Sequence, residues 1–85
     1  MMTFQCPVCG FPQLDFEPYQ PGGAPSFDIC PSCGVEFGYD DARTSWTELR
    51  SRWILAGMIW WSSATPPPAG WNPKQQVAKL QSTEE

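Results

Sequence analysis

The sequence predicts a small α+β domain, in which a cysteine-rich module with short β-strands packs on one tryptophan-rich α-helix and a short C-terminal helix follows. Three features predict it: a Cys-Pro-x-Cys-Gly form that occurs twice, an apolar pattern of helical period at 46–62, and an Asn-Pro pair that opens a shorter helical pattern at 73–81. A chain of 85 residues buries only a little over half of the surface that it exposes when unfolded. We therefore expect a cross-link or a metal ion to stabilise this domain.

The repeated cysteine form lies at 6–10, the first knuckle, and at 30–34, the second knuckle. Its proline presets φ within a tight turn and its glycine tolerates the positive φ that follows, so each form predicts a rigid turn that aims two sulfurs at one point. Two such turns supply the four ligands of a closed tetrahedral site, each about 2.3 Å from the ion. We predict that one Zn²⁺, or alternatively iron, is bound by Cys6, Cys9, Cys30 and Cys33.

Two disulfides are the alternative use of an even number of cysteines in a small secreted protein. Residues 1–5 contain no basic stretch followed by an apolar run, so the sequence predicts no export signal and a cytoplasmic location. A thioredoxin-like redox motif would need a single Cys-x-x-Cys in a βαβ context, whereas two symmetric pairs occur here. The metal site is therefore the preferred interpretation.

We divide the single predicted domain, 1–85, into a metal-binding module at 1–42, a tryptophan-rich helix within 43–62, and a proline-rich segment with a short helix at 63–85. The module is rich in glycine and proline, and its composition predicts a turn or loop at 18–25. Short β-like pieces flank both knuckles. We expect four short strands, at 3–5, 13–17, 26–29 and 35–39.

The tryptophan-rich helix begins after Ser45, which with Glu48 matches a capping box. We place the helix at 46–62, with the polar residues of its first turns, Arg50 among them, on the outer side. Its second half is apolar all round but too short to span a bilayer, which takes about 20 residues. The apolar stripe that should pack on the metal-binding module consists of Trp46, Leu49, Trp53, Ala56 and Trp60.

The C-terminal segment offers a cover for the apolar half of this helix. The prolines at 66–68 favour an extended segment that can lie against tryptophan. Asn72 and Pro73 are typical of an N-cap and a first helical position, and Val77 and Leu80 give the short helix a narrow apolar edge. We expect this tail, in preference to a partner protein, to cover Ile54, Leu55, Met58 and Trp61.

Charge is unevenly divided along the chain, whose formal net charge is −4. The module at 1–42 holds six acidic residues and neither Lys nor Arg, so its formal charge is −6, and four thiolates around a divalent ion bring it to −8. This charge disfavours nucleic acid as a partner, because phosphates are repelled. It favours a basic protein partner, although the same acids also serve to keep a small domain soluble. The candidate partner-binding residues are Asp15, Glu17, Asp28, Asp40 and Asp41.

Joined together, these parts resemble small bacterial cysteine-rich proteins of the CPCC type, which are zinc-ribbon-like. The resemblance rests on the first knuckle with Phe11, the run 29–41, the tryptophan-rich helix and the Trp-Asn-Pro triplet at 71–73, and it covers most of the chain. In those proteins the first pair is often Cys-Pro-Cys-Cys, from which Val8 departs. Some of them belong to toxin and immunity loci. Each knuckle also resembles those of rubredoxin, which hold one iron, but here the knuckles are closer in sequence and a long helix is added.

Three classes of function fit the sequence to different degrees. We prefer a non-catalytic protein-binding module, stabilised by a metal ion and acidic on one face, such as an immunity or inhibitor protein that blocks a basic toxin or nuclease. The alternative is a rubredoxin-like electron carrier with iron at the four cysteines. An enzyme is least favoured, because the chain has no histidine and four cysteine ligands leave no coordination position for water. The sequence leaves the oligomeric state open.

Overall fold

The computed structural model describes residues 3–83, and it describes side chains for 3–80. Residues 1–2 and 84–85, which the predicted domain of 1–85 includes, lie outside the described residues. The described chain is compact, since its Cα radius of gyration is 12.1 Å and about 12 Å is expected for a folded chain of this length. The division of the domain into three regions stays a prediction.

Three helical segments follow one another along the described chain: a 3-10 helix at Asp40–Ala42, helix α1 at Trp46–Leu55 and helix α2 at Pro73–Thr83. Helix α2 starts where the Asn-Pro pair predicts and runs two residues beyond the predicted end. Within 3–83, neither helix has the length and apolar character that crossing a membrane requires.

The four predicted strands are reduced to single bridging residues. Tight turns and the ten prolines of the chain leave few consecutive residues that can keep a hydrogen-bonded ladder. Each knuckle is nevertheless closed at its base by one antiparallel bridge, so the predicted pieces do pair. The bridges join Phe4 with Leu14 across the first knuckle, Ile29 with Glu36 across the second, and Tyr19 with Pro25 within the predicted loop.

Helix α1 begins at the predicted capping residue. The hydroxyl of Ser45 accepts the backbone N–H of Glu48 at 3.1 Å, which satisfies one of the free donors of the first turn. On the inner face Trp53 is buried in the core and Leu49 packs against it, as the predicted stripe requires. Trp46, at the start of the same stripe, is 42% exposed. The packing of the helix on the cysteine-rich module is therefore confirmed at its centre.

The end of α1 contradicts the prediction, because the helix stops at Leu55 rather than at 62. Gly57 adopts a φ of +104°, and its N–H donates to the carbonyl of Ile54 at 3.0 Å. The N–H of Met58 donates to the carbonyl of Trp53 at 2.9 Å. These two bonds form a Schellman motif, which ends helices where glycine takes the left-handed conformation. The apolar pattern beyond 56 therefore lies on non-helical chain.

The placement of Arg50 on the outer side of the helix was also wrong. Arg50 is only 3% exposed and lies on the inner face of α1. The physical reason is that two carbonyl groups of the first knuckle accept its N–H groups. A buried guanidinium needs such partners, since an unpaired buried charge is strongly unfavourable.

The tail covers Trp60, a residue that the prediction placed on the stripe against the cysteine-rich module rather than among those that the tail covers. The Trp60 ring packs edge-to-face on Phe11 at a centroid distance of 5.4 Å and on Trp71 at 5.1 Å. Its indole N–H donates to the carbonyl of Thr65 at 2.7 Å. The proline-rich segment that follows therefore starts beside a tryptophan, as its composition favours.

The tail leaves other members of the same run in solvent. Leu55 is 87% exposed and Trp61 is 56% exposed, so the prediction that the tail covers them was wrong. Ile54 and Met58 are half-buried. The cause is the turn at Gly57, which directs the chain away from the axis of α1 and separates these side chains.

Helix α2 packs on the first knuckle through its predicted apolar edge. The side-chain oxygen of Asn72 accepts the N–H of Gln75 at 3.1 Å, which confirms the predicted N-cap. Val77 and Leu80 are buried, with 6% and 7% exposure. A β-carbon added to Gly10 would lie 3.2 Å from the β-carbon of Leu80, so helix and knuckle are in close contact.

Candidate metal centre

The four cysteine sulfurs lie within 4.8 Å of one another. The Sγ atoms of Cys6 and Cys33 are 3.8 Å apart, and those of Cys9 and Cys30 are 3.7 Å apart. Sulfurs placed about 2.3 Å from a shared tetrahedral ion are separated by about 3.8 Å, so the observed spacing fits such an ion. All four are free thiols and form no disulfide. The predicted cluster can therefore hold one metal ion, and its sulfur ligands suit zinc and iron alike.

The two knuckles have the same backbone. In each, the glycine N–H donates to the carbonyl of the first cysteine: Gly10 to Cys6 at 2.9 Å, and Gly34 to Cys30 at 2.8 Å. The N–H of the first cysteine donates in turn to the carbonyl of the residue after the glycine: Cys6 to Phe11 at 2.9 Å, and Cys30 to Val35 at 3.0 Å. The glycine φ values are +84° and +81°, which explains why glycine stands there. The repeated sequence thus produces a repeated turn.

Hydrogen bonding and burial act on the cysteine sulfurs. The N–H of Val8 points at the sulfur of Cys6 at 3.4 Å, an orientation that stabilises thiolate charge. Hydrogen bonding with Cys30, then with Cys6 and Cys9, and then burial raise the pKa of the Cys33 thiol. A cation among the sulfurs opposes this effect, because metal binding favours the deprotonated ligand. A metal ion bound by Cys33 would therefore favour its thiolate form.

Arg50 of α1 supports the first knuckle. Its Nε donates to the carbonyl of Val8 at 2.7 Å, and one of its terminal nitrogens donates to the carbonyl of Pro7 at 2.9 Å. These are the two residues between the cysteines. Arg50 therefore gives partners to two carbonyl groups and places a positive charge beside a module that has no Lys or Arg of its own.

Gln76 of α2 joins the two knuckles. Its side-chain nitrogen donates to the carbonyl of Cys9 and to the hydroxyl of Ser32, both at 3.1 Å. Its side-chain oxygen accepts the indole N–H of Trp71 at 2.8 Å. Gln76 is 7% exposed, so this amide is a buried bridge with its hydrogen-bonding groups in use.

The chain after the turn at Gly57 supports the second knuckle. The N–H groups of Trp61 and Ser62 donate to the carbonyls of Ser32 and Pro31, at 3.1 Å and 2.9 Å. The indole of Trp61 lies directly against the knuckle, because a β-carbon added to Gly34 would be 2.4 Å from an indole carbon. At the second knuckle, backbone N–H donors and one aromatic ring thus take the place of the side-chain donors that support the first knuckle.

The four ligands are not equally buried. Cys6, Cys9 and Cys30 have 0% exposure, whereas Cys33 is half-buried. Cys33 lines an open groove of about 510 Å³ next to α1. One ligand of the candidate site is therefore close to solvent. The lining of the groove also includes Val35, Asp40, Arg52, Trp53, Ile59 and Trp61.

The five candidate partner-binding acids differ in exposure. Asp15 and Asp28 are exposed, whereas Glu17, Asp40 and Asp41 are half-buried. The carboxylate of Asp40 accepts a backbone N–H of the turn that leaves the second knuckle, at 2.8 Å. Contact of these acids with a partner stays a prediction. Their positions make Asp15 and Asp28 the most accessible of the five.

Asp41 has a structural role in the same turn. Its carboxylate accepts the hydroxyl of Tyr19 at 2.5 Å, the indole N–H of Trp46 at 2.9 Å and the N–H of Gly38 at 2.7 Å. Burial alone would raise the pKa of Asp41, but these hydrogen bonds hold it below its usual value. Burial, followed by the hydrogen bond to Asp41, raises the pKa of Tyr19 to about 12. Asp41 thereby fixes the chain between the second knuckle and α1.

Sequence reasoning missed Arg50 and Gln76, although a signal for both was present. Arg50 stands four residues after Trp46 and three before Trp53, which puts it on the apolar stripe of α1. Gln76 stands beside Val77 and four residues before Leu80, which puts it on the apolar edge of α2. A polar residue at an apolar helix position indicates a buried hydrogen-bonding group.

Comparison with known proteins gives a distant likeness to a bacterial protein. No family model and no solved structure matches the chain. Over 72 residues the chain is 29% identical to a Bacillus subtilis (strain 168) protein described as "Uncharacterized protein YoaQ". The match covers 66% of this chain and 61% of that protein, so the chain spans less than two thirds of its relative's length.

Proposed function

We propose that the protein is a non-catalytic protein-binding module, stabilised by one zinc ion in a zinc-ribbon-like pair of knuckles, whose acidic face binds a basic partner. The observation that carries the proposal is the cluster of four cysteine sulfurs, with 3.8 Å and 3.7 Å between the closest pairs. Four thiolates complete a tetrahedral shell and leave no position for water or substrate, so the ion serves as structural support. The chain also has no histidine that could act as a general base.

The charge of the module supports a basic partner. Residues 1–42 contain six acids and no Lys or Arg. Arg50 is only 3% exposed and donates to two knuckle carbonyls, so it adds little positive charge to the exposed surface. An acidic surface attracts and orients a basic protein, and an immunity or inhibitor protein that blocks a basic toxin or nuclease uses this property.

Metal content is the first test. Native mass spectrometry and elemental analysis of protein purified without a chelator should give one zinc ion per chain and no colour. Chelation should then abolish the near-ultraviolet circular dichroism, because structural zinc contributes about 10–16 kcal/mol of apparent binding free energy. A native fold that persists after complete removal of the metal would contradict the structural role.

Partner charge is the second test. The metal-loaded protein should capture basic proteins, and moderate salt should release them. The double variant Asp15→Asn, Asp28→Asn should capture less, since both side chains are exposed and serve no fold contact that the substitution removes. Gln13→Ala, Gln20→Ala, which changes two exposed side chains of the module without changing its charge, is the matched control. Capture of neutral or acidic proteins alone would count against the proposal.

A rubredoxin-like electron carrier is a second candidate, which one observation favours. Cys33 is half-buried and lines an open groove, so a redox partner can approach one metal ligand closely. Such a protein needs iron at the four sulfurs. Visible absorption that bleaches on reduction of the purified protein would promote this candidate, and a colourless protein with one zinc ion would remove it.

A further inference from the structure

Three large apolar side chains after the middle of α1 lie in solvent. Leu55 is 87% exposed, Ile59 66% and Trp61 56%. Ile59 and Trp61 line one groove, which Leu55 does not, so these two form one surface rather than scattered surface residues. Small soluble domains seldom leave such a group uncovered unless it forms a contact with another molecule.

The fold holds this surface in a fixed position. The indole N–H of Trp53 donates to the carbonyl of Ile59 at 3.0 Å. The N–H of Trp61 donates to the carbonyl of Ser32 at 3.1 Å, and its ring lies against Gly34. A surface whose backbone is already anchored loses little conformational entropy when it binds.

Ile59 and Trp61 line the open groove beside the metal centre. Its lining includes the apolar side chains of Val35 and Trp53, and Cys33 also lines it. The groove measures about 510 Å³, within the range of about 300–1,000 Å³ that is common for binding sites. It is therefore large enough to accept side chains of a partner.

The charge around the groove is negative. Arg52 lines it, but its guanidinium pairs with Glu48 at 2.8 Å, so these two charges offset each other. Asp40 lines it as well. Cys33 also lines it, and with the proposed divalent ion bound the four cysteines would carry a formal charge of −2. The apolar groove therefore complements a ligand that is apolar and positively charged.

We infer that this groove docks an amphipathic segment of a partner protein, which inserts large apolar side chains between Ile59 and Trp61 and places Lys or Arg beside Asp40. The inference rests on the proposed protein-binding function and adds to its acidic face, where Asp15 and Asp28 attract the partner, a groove that holds the partner's apolar side chains.

Two model peptides test the inference against the metal-loaded protein. One is a fluorescein-labelled amphipathic helix of Leu and Lys, and the other has the same Leu pattern with Glu in place of Lys. Fluorescence anisotropy should show binding of the Lys peptide and at least about tenfold weaker binding of the Glu peptide. Chemical-shift changes in the ¹⁵N-labelled protein should fall at 33–40 and 59–61.

Single variants of the protein locate the contact. Ile59→Ser should weaken binding of the Lys peptide about tenfold, because one buried apolar side chain is lost from the complex. Phe27→Ser is the matched control, since Phe27 is 61% exposed and does not line the groove, and it should change the affinity less than about twofold. Asp40→Asn keeps an oxygen acceptor and should weaken binding about threefold while reducing its salt dependence.

Five results would overturn the inference. Equal losses in Ile59→Ser and Phe27→Ser, or equal binding of both peptides, would remove the role of the groove. Shift changes confined to 13–28 would also remove it but would keep the acidic face as the binding site of the proposed function. Self-association that Ile59→Ser abolishes would assign the groove to a second copy. If neither peptide binds, the role of the groove is overturned. The proposed function is then overturned as well only if the protein captures no basic partner.

Discussion

The two knuckles share one backbone and differ in what covers them. In the first knuckle, the carbonyls of the two residues between the cysteines accept N–H groups of the Arg50 side chain. In the second knuckle, the equivalent carbonyls accept the backbone N–H groups of Trp61 and Ser62. Buried carbonyls need donors, but any segment that passes nearby can supply them. The repeated motif therefore specifies the turn and leaves its donors to the rest of the chain.

The difference in cover leads to a difference in access to the metal ligands. Helices α1 and α2 both reach the first knuckle, through Arg50 and Gln76, and its two cysteines have 0% exposure. Extended chain with one indole covers the second knuckle, where Cys33 remains half-buried. The first knuckle thus anchors the fold, and the second faces the groove.

Metal removal should have the largest effect on stability, and it should abolish the difference in cover between the two knuckles. One shared ion links them, so chelation removes about 10–16 kcal/mol from both at once. Hydrogen exchange should show that the amides of Gly10 and Gly34 lose protection together. Loss of protection at one knuckle alone would contradict a single shared ion.

Replacing the side-chain donor of the first knuckle should have the next largest effect. Arg50→Met leaves two knuckle carbonyls without their guanidinium donors and removes a cation beside the thiolates, so it should cost about 2–5 kcal/mol. Urea denaturation of the metal-loaded protein measures this loss in the free energy of unfolding. The control is Arg52→Met, which breaks an exposed pair with Glu48 and should cost less than about 1 kcal/mol. Similar costs for the two variants would exclude the special role of Arg50.

The two knuckle glycines should respond differently to alanine. Both have positive φ, so each substitution costs about 1–2 kcal/mol for the backbone. The new β-carbon at Gly10 would lie 2.6 Å from the backbone oxygen of Gln76, whereas that at Gly34 would meet the indole of Trp61 at 2.4 Å. A side chain moves more easily than a helix backbone, so Gly10→Ala should destabilise more in thermal unfolding.

The Trp61→Ala background provides the check on this explanation. Removal of the indole should relieve the clash, so Gly34→Ala should cost less free energy there than in the native chain. Equal costs in both backgrounds would show that the indole does not contact Gly34. Gly10→Ala should be unaffected by Trp61→Ala.

The smallest effect concerns the turn after the second knuckle and appears only in alkali. The pKa of Tyr19 is raised to about 12 in the folded chain, against about 10 when unfolded. The stability linked to this shift is therefore complete below pH 10 and is lost as the pH rises through about 12. In Tyr39→Phe, Tyr19 is the sole tyrosine of a chain that has two, so phenolate absorbance reports it alone.

Asp41, which accepts the hydroxyl hydrogen bond of Tyr19, is the residue to substitute in this tyrosine titration. Asp41→Asn, made in Tyr39→Phe, removes the charge beside the phenol and should lower the midpoint of Tyr19. Asp28→Asn removes an equal charge at an exposed position and should leave the midpoint in place. A midpoint that Asp41→Asn does not change would exclude the hydrogen bond as a cause.

Features that depend on neighbours in sequence could be predicted. The spacing of Cys6, Cys9, Cys30 and Cys33 predicted a shared site, and the four sulfurs do cluster. Ser45 and Asn72 predicted two helix starts, and both side chains accept the expected N–H groups. Each cap joins residues three positions apart, and each knuckle holds two cysteines three positions apart, although the sulfur contacts between the knuckles span 27 and 21 positions.

The end of α1 shows where competing signals misled the prediction. An apolar pattern extended to Trp60, and it outweighed Gly57, which is a known type of helix stop. The strands failed for a related reason, since alternating residues predicted pairing but the short segments between turns support only single bridges. Local pattern identified the segments and misjudged their length.

By itself the sequence determined the two cysteine turns, the helix starts and the acidic character of the first half, because these depend on local backbone preference and on composition. Only the tertiary structure decided that Arg50 and Gln76 are buried, that Trp61 lies on Gly34, and that Cys33 borders a groove. The physical reason is that segments distant in sequence supply the donors for buried carbonyls and the rings that pack on the knuckles. Which segment reaches which knuckle follows from how the whole chain packs.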